Sequence, residues 1–221
     1  MARSGPEETR ARLLDAAERI LAEEGFAAAS LRRITRAAGT NLAAVHYHFG
    51  AKAGLVEAVF RRRLEPLNRA RLEALERLER AGTAPGVRDL LLALIAPALR
   101  MGRDPATGGA RFMRLLGRAY VEPDPQVRAL LHGLYGEVRE RYFAAFTRAL
   151  PGLPREELAW RLHFVLGTIA YAMAGSDALE LVTTCDWVDP DDVEALGARL
   201  IPFLEAGLRA PLDRGEEARG T

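Results

Sequence analysis

The stretch from Ser30 to Leu55 constrains the fold of this chain more than any other, because helical apolar spacing flanks a short turn there. Leu31 and Ile34 begin an apolar stripe with the intervals of one buried helix face, and the serine before them can act as the N-cap. Gly39 then provides a residue able to adopt positive φ, and either of the two polar residues after it can cap a second helix. Two short helices joined by a turn of about three to four residues are typical of a helix-turn-helix.

The second helix of this pair is expected to present its outer face to DNA. Leu42, Val45 and Phe49 share one side of it by helical spacing, which leaves small and polar aromatic residues on the other side. Such a helix can enter the major groove, about 12 Å wide, because nothing on its outer face holds the backbone away from the bases. The residues that we expect to contact DNA are Ser30, Arg32, Arg33, Thr40, Asn41, Leu42, Ala43, His46, Tyr47, His48 and Lys52.

The charge of the same region favours a polyanionic partner. Residues 30–63 carry seven cationic side chains and only Glu57 as an acid, a net charge of +6, whereas the net charge of the whole chain is +1. Lys52 is the only lysine among the 31 basic residues, and at the start of the next helix its side chain can reach a phosphate. The alternative is a lysine retained by chance on a solvated turn. A basic region on a nearly neutral protein indicates a local DNA footprint.

With these residues in place, the segment from Thr9 to Arg63 resembles the DNA-binding domain of the TetR family of bacterial transcriptional repressors. The resemblance is carried by Gly39, the run His46-Tyr47-His48-Phe49, Lys52 and Leu55, in the spacing of the family. It implies two domains, one for DNA and a larger one for an effector and for dimerisation. The implied partners are therefore a palindromic double-stranded DNA operator, a second copy of the chain, and a small apolar effector that releases the DNA.

The DNA contacts divide into two roles in this interpretation. Arg32 and the exposed face of the helix from Asn41 to Tyr47 are expected to read bases. Ser30, Tyr47 and Lys52 are expected to hold phosphates, which position the protein without reading sequence.

Residues 41–68 and 153–175 further resemble a TetR-family branch of repressors that sense long-chain fatty acids or acyl-CoA thioesters. An apolar tunnel suits that interpretation, and arginines such as Arg114, Arg118 or Arg161 would meet a carboxylate or phosphates. A drug-like compound or another apolar metabolite is the alternative effector. The residues that we expect to line the effector pocket are Met101, Phe112, Leu116, Tyr120, Phe143, Phe146, Phe164 and Tyr171.

The whole chain is predicted to be all-α, with an N-terminal three-helix DNA-binding domain and a C-terminal helical domain for ligand binding and dimerisation. The expected boundaries are residues 1–51 for the first domain, 52–211 for the second, and 212–221 for a disordered tail. Pro66 predicts a kink or break near Arg62 to Glu65, because proline removes a backbone donor from the helix. The pattern also predicts one long helix from about Gln126 to Leu150.

The segment from Glu156 to Gly175 predicts a dimer interface. It is almost uncharged after Arg161 and carries apolar residues around most of its circumference, so it must be buried on more than one side. A small domain has difficulty covering such a helix, and a partner subunit would cover it together with the final helix at about 190–209. The interface residues predicted in this way are Trp160, Val165, Ile169, Leu196, Leu200, Phe203 and Leu204.

No catalytic constellation stands out, so we expect neither an enzyme nor a cofactor or metal site. His46 and His48 are two residues apart and point to different sides of a helix. Cys185 is the single cysteine, and no signal peptide or apolar run long enough for a membrane span is visible, which makes the cytoplasm the expected location. Two other classes remain open: an all-helical enzyme, which would need a titratable cluster in a cleft, and a protein-interaction adaptor that uses the helix-turn-helix as a scaffold.

Overall fold

A computed structural model describes residues 5–104, 108–121, 124–174 and 192–212, which form ten helices and no strand. This arrangement confirms the all-α fold. None of these helices combines the length and apolar character needed to cross a bilayer. Cys185 and nearly all of the tail predicted at 212–221 lie outside the described residues. The helices are α1 (Pro6–Ala28), α2 (Leu31–Ala37), α3 (Leu42–Phe49), α4 (Lys52–Arg80), α5 (Val87–Arg103), α6 (Gly109–Val121), α7 (Pro125–Leu134), α8 (Gly136–Ala149), α9 (Arg155–Ala174) and α10 (Val193–Arg209).

The predicted helix-turn-helix is present, and a side-chain hydrogen bond caps the start of each of its two helices. The Ser30 hydroxyl accepts a hydrogen bond from the backbone N–H of Arg33 at 3.3 Å, which caps α2. Gly39 adopts φ 61°, a left-handed conformation that favours glycine, and turns the chain toward α3. Asn41 then caps α3 by accepting from the N–H of Ala44 at 3.0 Å. Of the two capping candidates in the sequence, the structure therefore selects Asn41 rather than Thr40.

The longer helices depart from the sequence predictions in two places: no break occurs at Pro66, and one predicted helix is two. α4 runs without a break through Pro66, which lies on the exposed side of the helix, where water can hydrogen-bond the carbonyl that loses its donor. The helix expected from Gln126 to Leu150 is instead divided at Tyr135, where φ is −94° and ψ is 0°. Glycines at 133 and 136 flank this point, and glycine weakens a helix interior because it loses more backbone entropy on ordering.

The buried apolar side chains form two clusters. The N-terminal core cluster joins α1, α2, α3 and the first half of α4 to the end of α5 and to α6 and α7. The C-terminal core cluster joins the second half of α4 to α5, α8, α9 and α10. α4 contributes to both, with Leu64 and Leu67 in the first and Leu75 in the second. The domain boundaries drawn from the sequence stay a prediction, since one long helix belongs to both interiors.

Candidate DNA interface and effector cavity

The outer face of α3 is exposed, as its sequence pattern predicts. Tyr47 is 79% exposed, and Ala43 and His46 are also exposed, whereas Val45 is completely buried against the rest of the three-helix unit. Phe49 is half-buried, and the guanidinium of Arg10 lies 5.6 Å from the centre of its ring. The exposed side chains of α3 thus leave the helix backbone accessible to a groove of DNA.

Fewer cationic side chains are available to DNA than the net charge of +6 over residues 30–63 suggests. Arg33 pairs with Glu24 at 2.6 Å, and Arg61 pairs with Glu57 and Glu65 at 2.7 and 2.9 Å. The next two arginines, at 62 and 63, both bind Glu18 in the interior. Within the described part of the chain, no carboxylate pairs with the exposed residues Arg32 and Arg36. The uncompensated charge therefore lies on α2, beside the exposed face of α3.

Besides Arg33 and Asn41, three more of the residues predicted to contact DNA have partners within the protein. Lys52 donates a hydrogen bond from Nζ to the carbonyl of Phe26 at 2.7 Å, which ties the start of α4 to the end of α1. His46 donates from Nδ1 to the carbonyl of Gly50 at 2.7 Å in the tautomer that makes this contact. Ser30 caps α2 through its hydroxyl. These contacts fix the positions of all three side chains, and their DNA roles stay predictions.

A cavity of about 580 Å³ lies where the two core clusters meet. Its walls come from α4 to α9, and they are mostly apolar. Such a volume is typical of a small-molecule site. The lining residues are Arg71, Leu94, Met113, Leu116, Gly117, Ala119, Tyr120, Arg128, Leu131, His132, Tyr135, Val138, Arg139, Tyr142, Phe143, Phe146, Ala159, Leu162, His163, Val165, Leu166, Ile169 and Ala170.

Half of the residues predicted for the pocket line this cavity: Leu116, Tyr120, Phe143 and Phe146. Met101 and Phe112 are instead buried in the N-terminal core cluster. Phe164 and Tyr171 are about 60% exposed on the outer side of α9. An apolar residue at helical spacing does not reveal which of several buried environments it faces, and this explains the two kinds of difference.

The predicted pocket residues do not include the polar end of the cavity, which is centred on Arg71. Leu64, Leu67 and Leu75 form the buried stripe of α4, and Asn68 and Arg71 occupy the same stripe. A charged residue and an amide within an apolar stripe are the signal that could have found this site.

Hydrogen bonds fix the geometry of this polar end. Arg71 donates from Nε to the carbonyl of Leu94 at 2.9 Å and from Nη1 to Oδ1 of Asn68 at 3.3 Å. Its guanidinium also lies 5.7 Å from the centre of the Tyr135 ring. Tyr120 donates its hydroxyl proton to the hydroxyl oxygen of Tyr135 at 2.7 Å. Burial raises the pKa of Tyr120 well above its ordinary value, so this hydroxyl is neutral and available as a donor at neutral pH.

Arg161, predicted as a contact for an acidic ligand, has a different position. It is 8% exposed and donates to Glu157 and to the carbonyls of Leu208 and Ala210, at 2.8, 2.9 and 2.6 Å. It therefore caps the C-terminal end of α10, where orphan carbonyls favour a cation. Neither Arg114 nor Arg118, the other two arginines considered, lines the cavity.

The predicted dimer residues divide between two environments. Trp160 and Phe203 are 54% and 68% exposed on α9 and α10, and the Trp160 ring stacks with that of Phe164 at 6.0 Å. Leu196, also on α10, is half-buried. The other four residues point inward: Val165 and Ile169 line the cavity, and Leu200 and Leu204 belong to the C-terminal core cluster.

Helix α6 connects the helix-turn-helix unit with the cavity. The Phe60 ring lies 5.9 Å from that of Phe26 at the end of α1, and 6.0 Å from that of Phe112 on α6. One turn further along α6, Leu116 and then Tyr120 line the cavity. A movement of α6 on ligand binding would therefore displace side chains packed against α1 and α4. Within the described residues, no three His, Cys, Asp or Glu side chains gather as a metal site.

Comparison with known proteins adds two family matches. The model for bacterial regulatory proteins of the tetR family matches residues 13–59. The model for the tetracyclin repressor-like C-terminal domain matches residues 92–207, which is more than half of the chain.

Individual relatives agree with these matches. The chain is 41% identical over 61 residues to the HTH-type transcriptional regulator SrpR of Pseudomonas putida, covering 28% of this chain and 29% of that protein. The chain thus matches less than a third of the length of this relative. Among solved structures, the SmeT–triclosan complex has a TM-score of 0.62 at 24% identity over 90% of each chain. FadR from Bacillus subtilis in complex with stearoyl-CoA has a TM-score of 0.58 at 14% identity, over 89% of this chain and 98% of that one.

Proposed function

This chain belongs to the TetR family of bacterial regulatory proteins, and on that basis we propose that it is a ligand-responsive transcriptional repressor. It binds a palindromic DNA operator as a homodimer and leaves the operator when a small apolar effector enters the cavity. The observation that carries this proposal is the position of α6, which packs on Phe60 at the DNA-binding end and lines the cavity through Leu116. One helix thereby touches both places that a ligand-responsive repressor must couple.

DNA recognition is assigned to the exposed face of α3 and to α2. On α3, the Tyr47 side chain is 79% exposed. On α2, Arg32 is exposed, and no carboxylate of the described chain pairs with its guanidinium. An arginine of this kind can donate two hydrogen bonds to a guanine in the major groove. Ser30, Tyr47 and Lys52 hold phosphates in this proposal, with Lys52 fixed in place by its bond to Phe26.

Dimerisation is assigned to the outer sides of α9 and α10. Trp160, Phe164 and Tyr171 follow the spacing of one face of α9, all are more than half exposed, and Phe203 on the adjacent helix is exposed as well. Large aromatic residues exposed together are typical of a protein interface. A second copy of the chain, related by a two-fold axis, would cover them in a four-helix arrangement.

The effector is proposed to be a long-chain fatty acid or its acyl-CoA thioester, with a drug-like apolar compound as the second candidate. The apolar walls of the cavity support both, and the fold neighbours named above hold triclosan in one case and stearoyl-CoA in the other. Ligand entry would shift α6 and the start of α4, and so change the spacing of the two α3 helices in the dimer. Allosteric couplings of about 1 to 3 kcal/mol are sufficient for such release.

Fluorescence anisotropy tests the repressor proposal directly. Labelled DNA from upstream of the gene for this protein is titrated with the protein at fixed salt, and a long-chain acyl-CoA is then added. We expect tight, salt-sensitive binding that weakens with acyl-CoA, and at least tenfold weaker binding to a scrambled duplex of the same length. The Tyr47→Ala variant tests the α3 contact with DNA. Its side chain is 79% exposed, so its loss should weaken DNA binding without unfolding the protein. Salt-insensitive or absent binding to every duplex from a genomic operator selection would overturn the proposal.

Analytical ultracentrifugation tests the dimer surface. The Phe203→Glu variant places a charge in the proposed interface and is expected to sediment as a monomer at concentrations where the unchanged protein is a dimer. Leu92→Glu is the control, because Leu92 is an exposed apolar residue of α5 outside that face. A dimer that tolerates Phe203→Glu would place the interface elsewhere.

A further inference from the structure

We propose that Arg71, together with Tyr120 and Tyr135, forms an anion-binding site inside the cavity, and that the effector is an amphipathic carboxylic acid seated there. The inference rests on the proposed function in one respect, namely that the cavity holds the effector. It goes further by assigning the chemical class of the ligand and the residues that recognise its acidic group.

The buried charge of Arg71 is the first feature that points to an anionic ligand. Its side chain is 7% exposed, and its partners within the described residues are the neutral oxygens of Leu94 and Asn68 and the ring of Tyr135. No carboxylate pairs with it among those residues. A buried guanidinium without an anion is costly, and a carboxylate brought by a ligand would remove that cost.

A comparison with Arg161 sharpens this argument. Arg161 is buried to nearly the same extent, but it pairs with Glu157 and with the carbonyls that end α10. Its charge is thus balanced by the protein itself. Arg71 differs because its charge faces the cavity, where an anion from outside can reach it.

The hydroxyl pair provides a second recognition element. Tyr120 and Tyr135 share one hydrogen bond of 2.7 Å, which uses one of their two hydroxyl protons. The other proton remains available for an acceptor in the cavity, which both rings line. A carboxylate has two oxygens, so it can accept from the guanidinium and from a tyrosine hydroxyl at the same time.

The charges around the cavity exclude the opposite class of ligand. Among its described lining residues are three arginines and two histidines, and none is an aspartate or a glutamate: Arg71, Arg128, His132, Arg139 and His163. A cationic drug would therefore find cations and apolar walls, with no acid to pair with it. A carboxylate carries a single negative charge and matches the single buried arginine of the lining, whereas Arg128 and Arg139 are exposed to solvent.

Calorimetric titration of the DNA-free protein tests the site with four probes that share one alkyl chain: dodecanoate, dodecanol, dodecylamine and dodecanoyl-CoA. We expect the unchanged protein to bind dodecanoate roughly tenfold or more tightly than dodecanol, because a hydrogen bond to a charged group contributes that much affinity. Dodecylamine is expected to bind more weakly than either. Equal affinity for the acid and the alcohol, or a preference for the amine, would overturn the proposal without any variant.

Three variants locate the effect. Arg71→Met keeps the length of the side chain without its charge and is expected to lose the preference for dodecanoate over dodecanol. Arg71→Lys is expected to restore part of it, and Arg114→Met, at an exposed arginine of α6 that does not line the cavity, to leave it within about twofold of the unchanged protein. Circular dichroism and the melting temperature show whether each variant is folded. Preference for the acid that survives in folded Arg71→Met, or tight dodecanoyl-CoA binding that does not depend on Arg71, would overturn the site.

The same ligands separate this inference from the repressor proposal. If dodecanoate binds through Arg71 and DNA binding does not respond, the anion site stands and the ligand-responsive repressor fails. If dodecanol releases the DNA as well as dodecanoate does, the repressor stands and the anion site fails.

Discussion

The N-terminal and C-terminal core clusters both bury leucines, phenylalanines and a charged side chain, but they treat the charge differently. In the N-terminal core cluster, Glu18 is 2% exposed and binds two arginines, Arg62 at 2.7 Å and Arg63 at 2.9 Å. At the border with the C-terminal core cluster, Arg71 is nearly as buried and has no acidic partner among the described residues. The chain itself balances the charge buried in the N-terminal core cluster. The charge of Arg71 instead faces the cavity, where another molecule can balance it.

This difference assigns a role to each interior. A core that balances its own buried charges gives the helix-turn-helix a fixed shape, which DNA recognition requires. A cavity bordered by a cation without an acidic partner allows an anionic ligand to bind at the border with the C-terminal core cluster. Helix α6 borders both, and its contact with Phe60 offers one path by which a response can reach the helix-turn-helix.

The largest expected effect compares two fully buried phenylalanines. Phe60→Ala should lower the free energy of unfolding by about 4 to 5 kcal/mol, because it opens a new cavity between the rings of Phe26 and Phe112. Phe146→Ala should cost about 3 kcal/mol, since that side chain already borders the cavity and has fewer neighbours to lose. Urea denaturation measures both. An equal or larger cost for Phe146→Ala would mean that the cavity wall is packed as closely as the N-terminal core cluster.

The next effect concerns the buried charge of the N-terminal core cluster. Glu18→Gln should lower the free energy of unfolding by about 3 kcal/mol, because it removes the buried carboxylate shared by Arg62 and Arg63 and leaves Arg62 with Asp15 alone as an acidic partner. Glu57→Gln is the control, since its ion pair with Arg61 is exposed and screened by solvent, so its loss should change the free energy of unfolding far less. Similar costs for the two variants would show that the interior charge of this cluster is not specially balanced.

DNA binding provides the third comparison, with effects of about 1 to 3 kcal/mol in affinity. Arg32→Ala should weaken binding to the operator more than binding to random DNA, whereas Lys52→Ala should weaken both equally and reduce the salt dependence. Because Lys52 also bonds to the carbonyl of Phe26, its variant needs a parallel melting curve. Equal losses on specific and random DNA for both variants would refute the division into base and phosphate contacts.

The smallest effect is a pH dependence near the cavity. Burial raises the pKa of Tyr142, whose hydroxyl donates to the carbonyl of Arg71 at 2.8 Å, and the cation of Arg71 opposes this shift only in part. The stability contributed by the neutral hydroxyl is complete below the ordinary tyrosine pKa of 10.0 and is lost as the pH rises above it.

Tyr142→Phe should therefore cost about 1 kcal/mol at neutral pH and flatten the fall in melting temperature between about pH 10 and 12. The exposed Tyr47→Phe variant should leave that fall unchanged. A slope that stays the same in Tyr142→Phe would assign the alkaline loss to other groups.

Local patterns in the sequence predicted the local structure well. The caps at Ser30 and Asn41, the turn at Gly39 and the buried side of α3 depend on residues within a few positions of one another. The break allowed for at Pro66 is absent and the helix predicted across Tyr135 is divided, because both outcomes depend on solvent exposure and on packing against other helices.

The candidate sites follow the same division. The exposed face of α3 could be predicted, since helical periodicity determines which side is left when Val45 is buried. Of the eight residues predicted for the cavity, only four line it, and most of the apolar wall was not predicted. On α9, Val165 and Ile169 line the cavity and Phe164 and Tyr171 point outward, although all four are large and apolar. Composition does not distinguish them, because the choice depends on how α9 is rotated against its neighbours.

The sequence by itself determined an all-α chain, a helix-turn-helix with its caps, and an apolar pair of terminal helices, because these depend on periodicity and on short-range hydrogen bonds. Only the tertiary structure decided which charges are free. Glu18 meets Arg62 and Arg63 from more than forty positions away along the chain, and Arg71 meets Tyr135 from sixty-four positions away. Electrostatic pairing depends on distance in space and on burial, which the order of residues does not specify.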